Sequence, residues 1–367
     1  MARSPTRHIE PKNTRMTTIT DVAKLAKVSI STVSNVLNGR TGRMGKATLA
    51  RVEKAMSQLG YRPNLAARQL KTGEASMIGL LVPSLGNPSY GMLAREIETE
   101  SRRYGFRVIV GNTNRDPRHE RAFIDDMTAQ GVRGVIVISS LADESHLDTP
   151  VKRGLVAVSY DSHTRRDARP ILDYVSADNA AGVRLAVEHL ATSGHRTIAF
   201  LTPKIWTFSR AEKRKGFLAA IREGGLKGLV IEGAVASIYA DAEMAELGQG
   251  LAEPFANNPD RPTAAIAIND MMAIGLISGL ARLGIRVPSD ASVVGMDGIP
   301  LGAFTSPPLT TVRLPLPELA RTMVDRIMLR LKQPETPPAE FRFVPSMLLR
   351  GSVATPSRAS GHGKRRG

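Results

Sequence analysis

The sequence predicts an all-α helix-turn-helix head joined to an α/β core of doubly wound parallel sheets arranged as two lobes. Three observations carry this. Basic residues crowd the first 73 positions, with 14 Lys/Arg against three acids, while residues 74–349 are balanced in charge. Capped, helix-periodic segments fill residues 18–60. From Met77 onward, short apolar runs alternate with helical stretches, the pattern of strands buried on both faces.

Length and composition set the outer bounds. A chain of 367 residues that is 42% apolar can bury the cores of two or three domains. It has no cysteine, which excludes a disulfide framework, a thiolate nucleophile, an iron–sulfur cluster and Cys-ligated zinc. No apolar run is long enough for a membrane span, and MARSPTRHIEPKNTR lacks the apolar stretch of a secretory leader, so a cytoplasmic protein is expected. The net charge of +16 is segregated to the ends, because residues 350–367 add five cations and no acid. Such segregation suits a chain whose head meets a polyanion while its centre does other work.

In the head, Thr18-Ile19-Thr20-Asp21 fits a capping box that starts a helix, on which Val22, Leu25 and Ala26 recur at core spacing. Ser29 can cap a second helix with Val33, Val36 and Leu37 inward, closed by Asn38-Gly39. A third helix at about 47–59 lines up Leu49, Val52, Met56 and Leu59, with Gly60 as its stop. Two helices across a three-residue turn form a helix-turn-helix whose second member enters a major groove. Its outward residues are then the base readers. Asn35 suits adenine, Ile30 a thymine methyl, and Ser31 is permissive, while Thr32 and Ser34 suit phosphates.

In the core, strands are expected at 77–82, 106–110, 134–138, 155–158, 197–201, 264–268 and 292–296, and helices at 89–104, 118–130, 179–194 and 270–284. Ligands of such sheets sit beyond the carboxyl ends of strands, so two lobes should face a cleft. Tyr160-Asp161, Ile268-Asn269 and Met296-Asp297 bring Asp161, Asn269 and Asp297 to that edge, where carboxylates and amides suit the hydroxyls or ring nitrogens of a small polar ligand.

Thr18-Ile-Thr-Asp-Val-Ala-Lys-Leu-Ala-Lys-Val-Ser-Ile-Ser-Thr-Val-Ser-Asn-Val-Leu-Asn38 resembles the DNA-binding head of the LacI/GalR family of bacterial repressors. Gly60-Tyr61-Arg62-Pro63-Asn64 through Leu70 resembles the family's hinge, and landmarks such as Asn87-Pro88-Ser89-Tyr90, Ser193-Gly194-His195-Arg196 and Pro307-Pro-Leu-Thr-Thr-Val312 resemble its periplasmic-binding-protein-like core. The resemblance covers about residues 17–352. It implies a sequence-specific transcriptional regulator, most simply a repressor, that binds a pseudo-palindromic operator as a homodimer under the control of a small effector, a sugar or sugar derivative being favoured. It adds Thr20, Ser29, Asn64 and Arg68 to the DNA contacts, gives Leu70 the role of a minor-groove wedge, and adds Ser89, Tyr90, Ser209 and Lys213 to the effector site. Two departures stand out. Asn35 occupies a position where the family most often has Arg, and Lys213 stands where Arg is common for bidentate contact. Val235 lies near the place of a sugar-stacking aromatic, for which Trp206, the lone tryptophan, could substitute.

The implied organisation is a basic extension at 1–16 without fixed structure, a head at 17–61, a hinge helix at 62–73, a core at 74–352 and a basic tail at 353–367. Lobe 1 is expected at about 75–160 and 314–342 and lobe 2 at about 162–312 and 344–352, with crossings near 161, 313 and 343. The tail lacks a leucine heptad, so no tetramerising coiled coil is expected. An enzyme reading finds little: Gly39–Lys46 has five residues where a phosphate loop needs four, and no hydrolase or dinucleotide motif is present. No metal, cofactor or membrane partner is expected. The remaining alternative is a solute-binding component of a transport system, which the core alone would satisfy and the helix-turn-helix argues against.

Overall fold

Thr18 opens the first helix as the capping box requires. In the computed structural model its backbone N–H donates to Asp21 Oδ2 at 2.9 Å, and the Asp21 amide donates to Thr18 Oγ1 at 3.4 Å. The structure describes residues 17–37, 40–42, 44–61, 75–138, 141, 143–162, 171–204, 207–234 and 243–356. The chain divides into two compact units, Met1–Glu74 and Ala75–Gly367. The expected basic extension at 1–16, the hinge, Asn38-Gly39 and the end of the tail lie outside the described residues.

Among its described residues the head has three helices, α1 (Ile19–Ala26), α2 (Ile30–Leu37) and α3 (Lys46–Gln58). Lys27 takes a left-handed turn between the first two, at φ 53°. Ser29 then caps α2 by accepting the Thr32 amide at 3.1 Å. Val22, Ala23, Ala26, Val33, Val52 and Ala55 form the buried centre, ringed by Val36, Leu37, Met56 and Leu59. One expected core position is corrected: Leu25 is 46% exposed. The inward stripe of α1 is Val22, Ala23 and Ala26, and its two alanines let α3 approach closely. Leu49 is likewise only half-buried, at the margin of α3. Gly60 ends the module at φ +58°, a conformation glycine adopts without steric cost.

The described residues of the second unit form two six-stranded sheets. In lobe 1, β1 (Met77–Val82), β2 (Arg107–Asn112), β3 (Gly134–Val137), β4 (Val156–Tyr160), β5 (Asp173–Ala177) and β11 (Glu340–Phe343) run parallel in the order β11-β5-β4-β3-β1-β2. Helices α4 (Pro88–Arg103), α5 (Pro117–Ala129) and α6 (Asp148–Lys152) connect the first strands. In lobe 2, β6 (Thr197–Pro203), β7 (Lys227–Gly233), β8 (Ala264–Ala267), β9 (Ser292–Asp297) and β10 (Thr310–Arg313) are parallel, and β12 (Ser346–Leu348) pairs antiparallel with β10. Helices α7 (Asn179–Thr192), α8 (Phe208–Glu223), α9 (Met244–Gly250), α10 (Ala252–Ala256) and α11 (Asp270–Arg282) belong with this sheet. The last helix, α12 (Leu316–Lys332), returns to lobe 1 and buries Leu319, Met323, Val324 and Ile327 against Leu80, Leu93, Ile97 and Ile136.

The first crossing between lobes differs from expectation. It follows Ala177 rather than residue 161, because β5 is hydrogen-bonded between β4 and β11 inside lobe 1. The strand Asp-Tyr-Val-Ser-Ala is no apolar run, yet all five residues are buried. Its buried charge is neutralised locally: Arg326 Nε donates to Asp173 at 2.7 Å and Arg330 at 2.9 Å, and the Ala339 amide donates at 2.9 Å. These bonds pin α12 and the entry to β11 onto the strand. The other strands missing from the sequence reading are β7, an edge strand with only the short apolar run Leu229-Val-Ile231, and β10, β11 and β12, which mix polar and apolar residues.

At the opposite end of lobe 2 from the strands' carboxyl ends, His195 is buried in a closed network. Its Nε2–H donates to the Ala354 carbonyl at 3.0 Å and its Nδ1 accepts from the Thr263 hydroxyl at 2.8 Å. Burial lowers the imidazole pKa. Its contribution is therefore complete above the ordinary value of 6.5 and lost as pH falls through the depressed one. We expect His195→Ala to cost about 2–4 kcal/mol in thermal unfolding at pH 8, since it strands buried partners. The wild-type chain should also lose stability more steeply than the variant between pH 7 and pH 5; parallel pH profiles would contradict that.

Candidate functional site

Two faces of the molecule bring chemistry-bearing residues together, one in each unit. In the head, the first turn of α2 presents Ser29, Ile30 and Ser31 to solvent, with Asn35 one turn further on; Ile30 is 49% exposed, unusual for an isoleucine without a partner in the core. Ser29 Oγ lies 2.7 Å from Ser31 Oγ and 2.8 Å from Thr32 Oγ1, so the hydroxyls at this helix start form one linked group. Thr20, Thr32 and Ser34 are half-buried beside them. A positive helix end, hydroxyl donors and an exposed amide one turn further on match what a duplex offers: phosphates at the rim and base edges on the floor of the groove. Asn64, Arg68 and Leu70 lie outside the described residues.

In the second unit, a cleft opens where the carboxyl ends of both sheets face each other. Lobe 1 supplies Asn87, Ser89, Tyr90 and Leu93 from the start of α4, Arg115 from the turn after β2, and Tyr160 and Asp161 from the end of β4. Lobe 2 supplies Asn179 from the start of α7, Ser209, Arg210 and Lys213 from the first turns of α8, and Ile268, Asn269 and Asp297 from the ends of β8 and β9. Leu314 and Leu316, on the second crossing, complete the wall. All seven residues expected for an effector site, Ser89, Tyr90, Asp161, Ser209, Lys213, Asn269 and Asp297, therefore line one cleft. Trp206 and Val235 lie outside the described residues.

Local sequence explains why these side chains point there. Helix starts need side-chain acceptors: Asn87 takes the Ser89 amide at 3.0 Å, Thr207 the Arg210 amide at 3.3 Å, and Asn269 the Met272 amide at 2.9 Å. Each cap fixes a helix N-terminus at the cleft, and the positive ends of α4, α7, α8 and α11 converge on it. Asn87, Arg115, Asn179 and Arg210 were not singled out from sequence. Asn87 stood in a recognised landmark and Arg115 follows the end of an expected strand, whereas Asn179 follows β5, which no apolar run announced.

The electrostatics are mixed and tightly held. Lys213 Nζ donates to the Ile268 carbonyl at 3.2 Å, which pins the ammonium beside the β8 end. Arg115 donates to the Tyr90 hydroxyl at 2.9 Å. Asp161 sits at φ 53°, and burial pushes its carboxyl up to about 6 while Lys213 and an Asn179 hydrogen bond pull the other way. The Asp297 amide is held by Thr311 Oγ1 at 3.3 Å, and Thr311 in turn donates to the buried Asp270 at 2.5 Å. Burial raises the Asp270 carboxyl too. This set of donors and acceptors can grip several hydroxyls of a small polar molecule while two aromatic and four aliphatic side chains supply apolar surface. Among the described residues no group of three or more His, Asp or Glu is placed to hold a metal ion, and no helix is long and apolar enough to cross a membrane.

Residues 18–64 match the family model described as bacterial regulatory proteins, lacI family, and residues 187–353 match a periplasmic binding protein-like domain. The chain is 31% identical to an HTH-type transcriptional repressor, PurR, of Photobacterium profundum, over 84% of this chain and 90% of that one. It is similar in structure to the lac repressor dimer bound to operator and the anti-inducer ONPF, with a TM-score of 0.78, 26% identity, and coverage of 93% and 100% of the two chains. It is also similar to a LacI family regulator of Enterococcus faecium with bound ribose, at a TM-score of 0.66, 25% identity, and coverage of 76% and 99%.

The raised Asp161 carboxyl makes a testable demand. Folding favours its neutral form, so its stabilising contribution is complete below about pH 4 and lost as pH rises through 6. Asp161→Asn should therefore stabilise the ligand-free chain at pH 7.5 by up to about 3 kcal/mol, the gain closing below pH 4. Thermal melts at the two pH values check it, and a variant less stable at pH 7.5 would show that the ionised carboxylate is compensated.

Proposed function

This chain belongs to the LacI family of bacterial regulatory proteins, and from that premise we propose how it works: the head binds an operator, and a small polar effector in the interlobe cleft sets the affinity of that binding. It is a DNA-binding transcriptional regulator, acting as a homodimeric repressor on a pseudo-palindromic site. The exposed start of α2, carried on a head with a large excess of positive charge, is the observation that most directly supports the DNA role. Phosphate contacts from the cations, Thr20, Ser29, Thr32 and Ser34 set register without reading sequence. Ile30, Ser31 and Asn35 read base edges, with Asn35 directed at adenine. Leu70 wedges the minor groove at the operator centre, where unstacking is offset by the extra contact a bent duplex allows, and Asn64 and Arg68 add contacts to the DNA. A protein acting on chromosomal operators works in the cytoplasm, and no catalytic role or cofactor is proposed for it.

The effector is a sugar or sugar derivative held by Ser89, Tyr90, Asp161, Ser209, Lys213, Asn269 and Asp297. The ribose-bound Enterococcus regulator supports that class. The seven residues come from both lobes, so occupancy biases how the lobes stand. Linkage makes the coupling reciprocal: an effector that weakens operator binding is itself bound less tightly by the operator complex, by the same factor.

Selection from a random duplex library at fixed salt should enrich a palindrome for the purified chain. Asn35→Ala should then cost about 1–3 kcal/mol on that site and leave non-specific binding unchanged, while Leu70→Ala weakens specific binding far more than non-specific. Equal loss on specific and random DNA would remove both residues from sequence readout.

A further inference from the structure

A second hollow lies beside the cleft at the carboxyl ends of β6 and β7. It is lined by Thr202, Lys204, Arg210, Arg214 and Glu232, with Pro203 and Ala211 filling the wall. Arg210 lines both spaces. Three cations face one carboxylate here, and Glu232 is engaged by Arg214 Nη1 at 3.0 Å. The hollow therefore carries excess positive charge. Arg210 is 9% exposed, so the inner wall of the hollow is shielded from water, where electrostatic attraction is screened less than at the surface.

Resting on the effector reading of the cleft, we propose that the effector is an anionic sugar derivative, a sugar phosphate or sugar acid, whose hydroxyls occupy the cleft and whose anionic group lies in this hollow against Arg210, Arg214 and Lys204. The two parts divide the chemistry. Asp161 and Asp297 are suited to accept from hydroxyls in the cleft, and the hollow places the anionic group away from both carboxylates. A guanidinium presents parallel N–H groups that match two oxygens of a carboxylate or phosphate, and Lys204 adds a point charge at the rim. A neutral sugar would use only the cleft and leave the cationic extension solvated.

Matched probes test this with the full-length chain by isothermal titration: ribose against ribose 5-phosphate, glucose against glucose 6-phosphate and gluconate, and inorganic phosphate alone. The expected result is that an anionic sugar binds at least tenfold more tightly than its neutral partner. The double variant Lys204→Gln, Arg214→Gln should erase that advantage and leave neutral-sugar affinity unchanged, while Asp297→Asn weakens every sugar that binds. If neutral sugars bind as tightly as their anionic partners and the double variant changes neither, the anionic assignment is overturned and the cleft reading stands. If inorganic phosphate binds but no sugar does, the hollow is an anion site unconnected to the effector, and the shared ligand is overturned. If the folded chain, verified by its melt, binds no member of the panel, the cleft reading falls together with the inference built on it.

Discussion

Parallel strand direction is the constraint from which the core's chemistry follows. In a parallel sheet every strand leaves at the same edge, and the helix that follows begins there, so carboxyl strand ends and positive helix starts collect along one line. Two such sheets with their edges opposed concentrate polar side chains in a cleft that neither lobe could build alone. The caps make this concrete. Asn87, Thr207 and Asn269 each satisfy a helix start, and in doing so they aim Ser89, Ser209 and Arg210 into the space between the lobes. The antiparallel strand β12 sits at the far edge of its sheet, where reversing direction does not disturb that alignment.

The cleft holds a buried acid whose protonation is finely set. Asp161 is buried with a carboxyl pushed up to about 6, an arrangement that disfavours its charged form near neutral pH. Lys213 partly offsets this, and its own position is fixed by the Ile268 carbonyl. A ligand hydroxyl donating to Asp161 would favour its charged form, in the same direction as the Asn179 hydrogen bond and the Lys213 charge. Lys in place of the family's common Arg fits this economy, because a compact ammonium can serve a carboxylate and a backbone carbonyl at once where a planar fork would require a flat acceptor.

Legibility in the sequence tracked how continuous each signal was. The head was readable nearly to the residue because capping, turn and stop chemistry are local: Thr18, Ser29 and Gly60 act within a few positions of themselves. Leu25 escaped because the inward stripe of α1 uses Ala23 instead, and only the packing partner decides between two faces an alanine apart. Apolar strands such as β1 and β3 were plain, whereas β5 was missed because Asp173 and Ser176 interrupt it. Its burial depends on Arg326 and Arg330, more than 150 positions away, which no local pattern encodes. The same long-range pairing moved the first crossing from 161 to just past Ala177. In the cleft, strand ends revealed the acids and Asn269, while Arg210 became visible only when α8 was placed between two hollows.

The three crossings also decide how a small molecule can act at a distance. They follow Ala177, Arg313 and Phe343, and all lie where β5, β10 and β11 end, beside the cleft. Lobes joined only there can change their mutual arrangement without breaking either sheet, because the strand ladders and the cores of each lobe stay intact. A ligand whose partners come from both lobes necessarily prefers one arrangement, the one in which Asp161 and Arg115 reach it together with Asp297 and Lys213. Its power over DNA binding is then bounded by that preference and not by its affinity: a molecule gripped equally well in either arrangement would bind tightly and regulate nothing. On the proposed reading, splitting the polar contacts between the lobes is what would let one cleft serve for both binding and regulation.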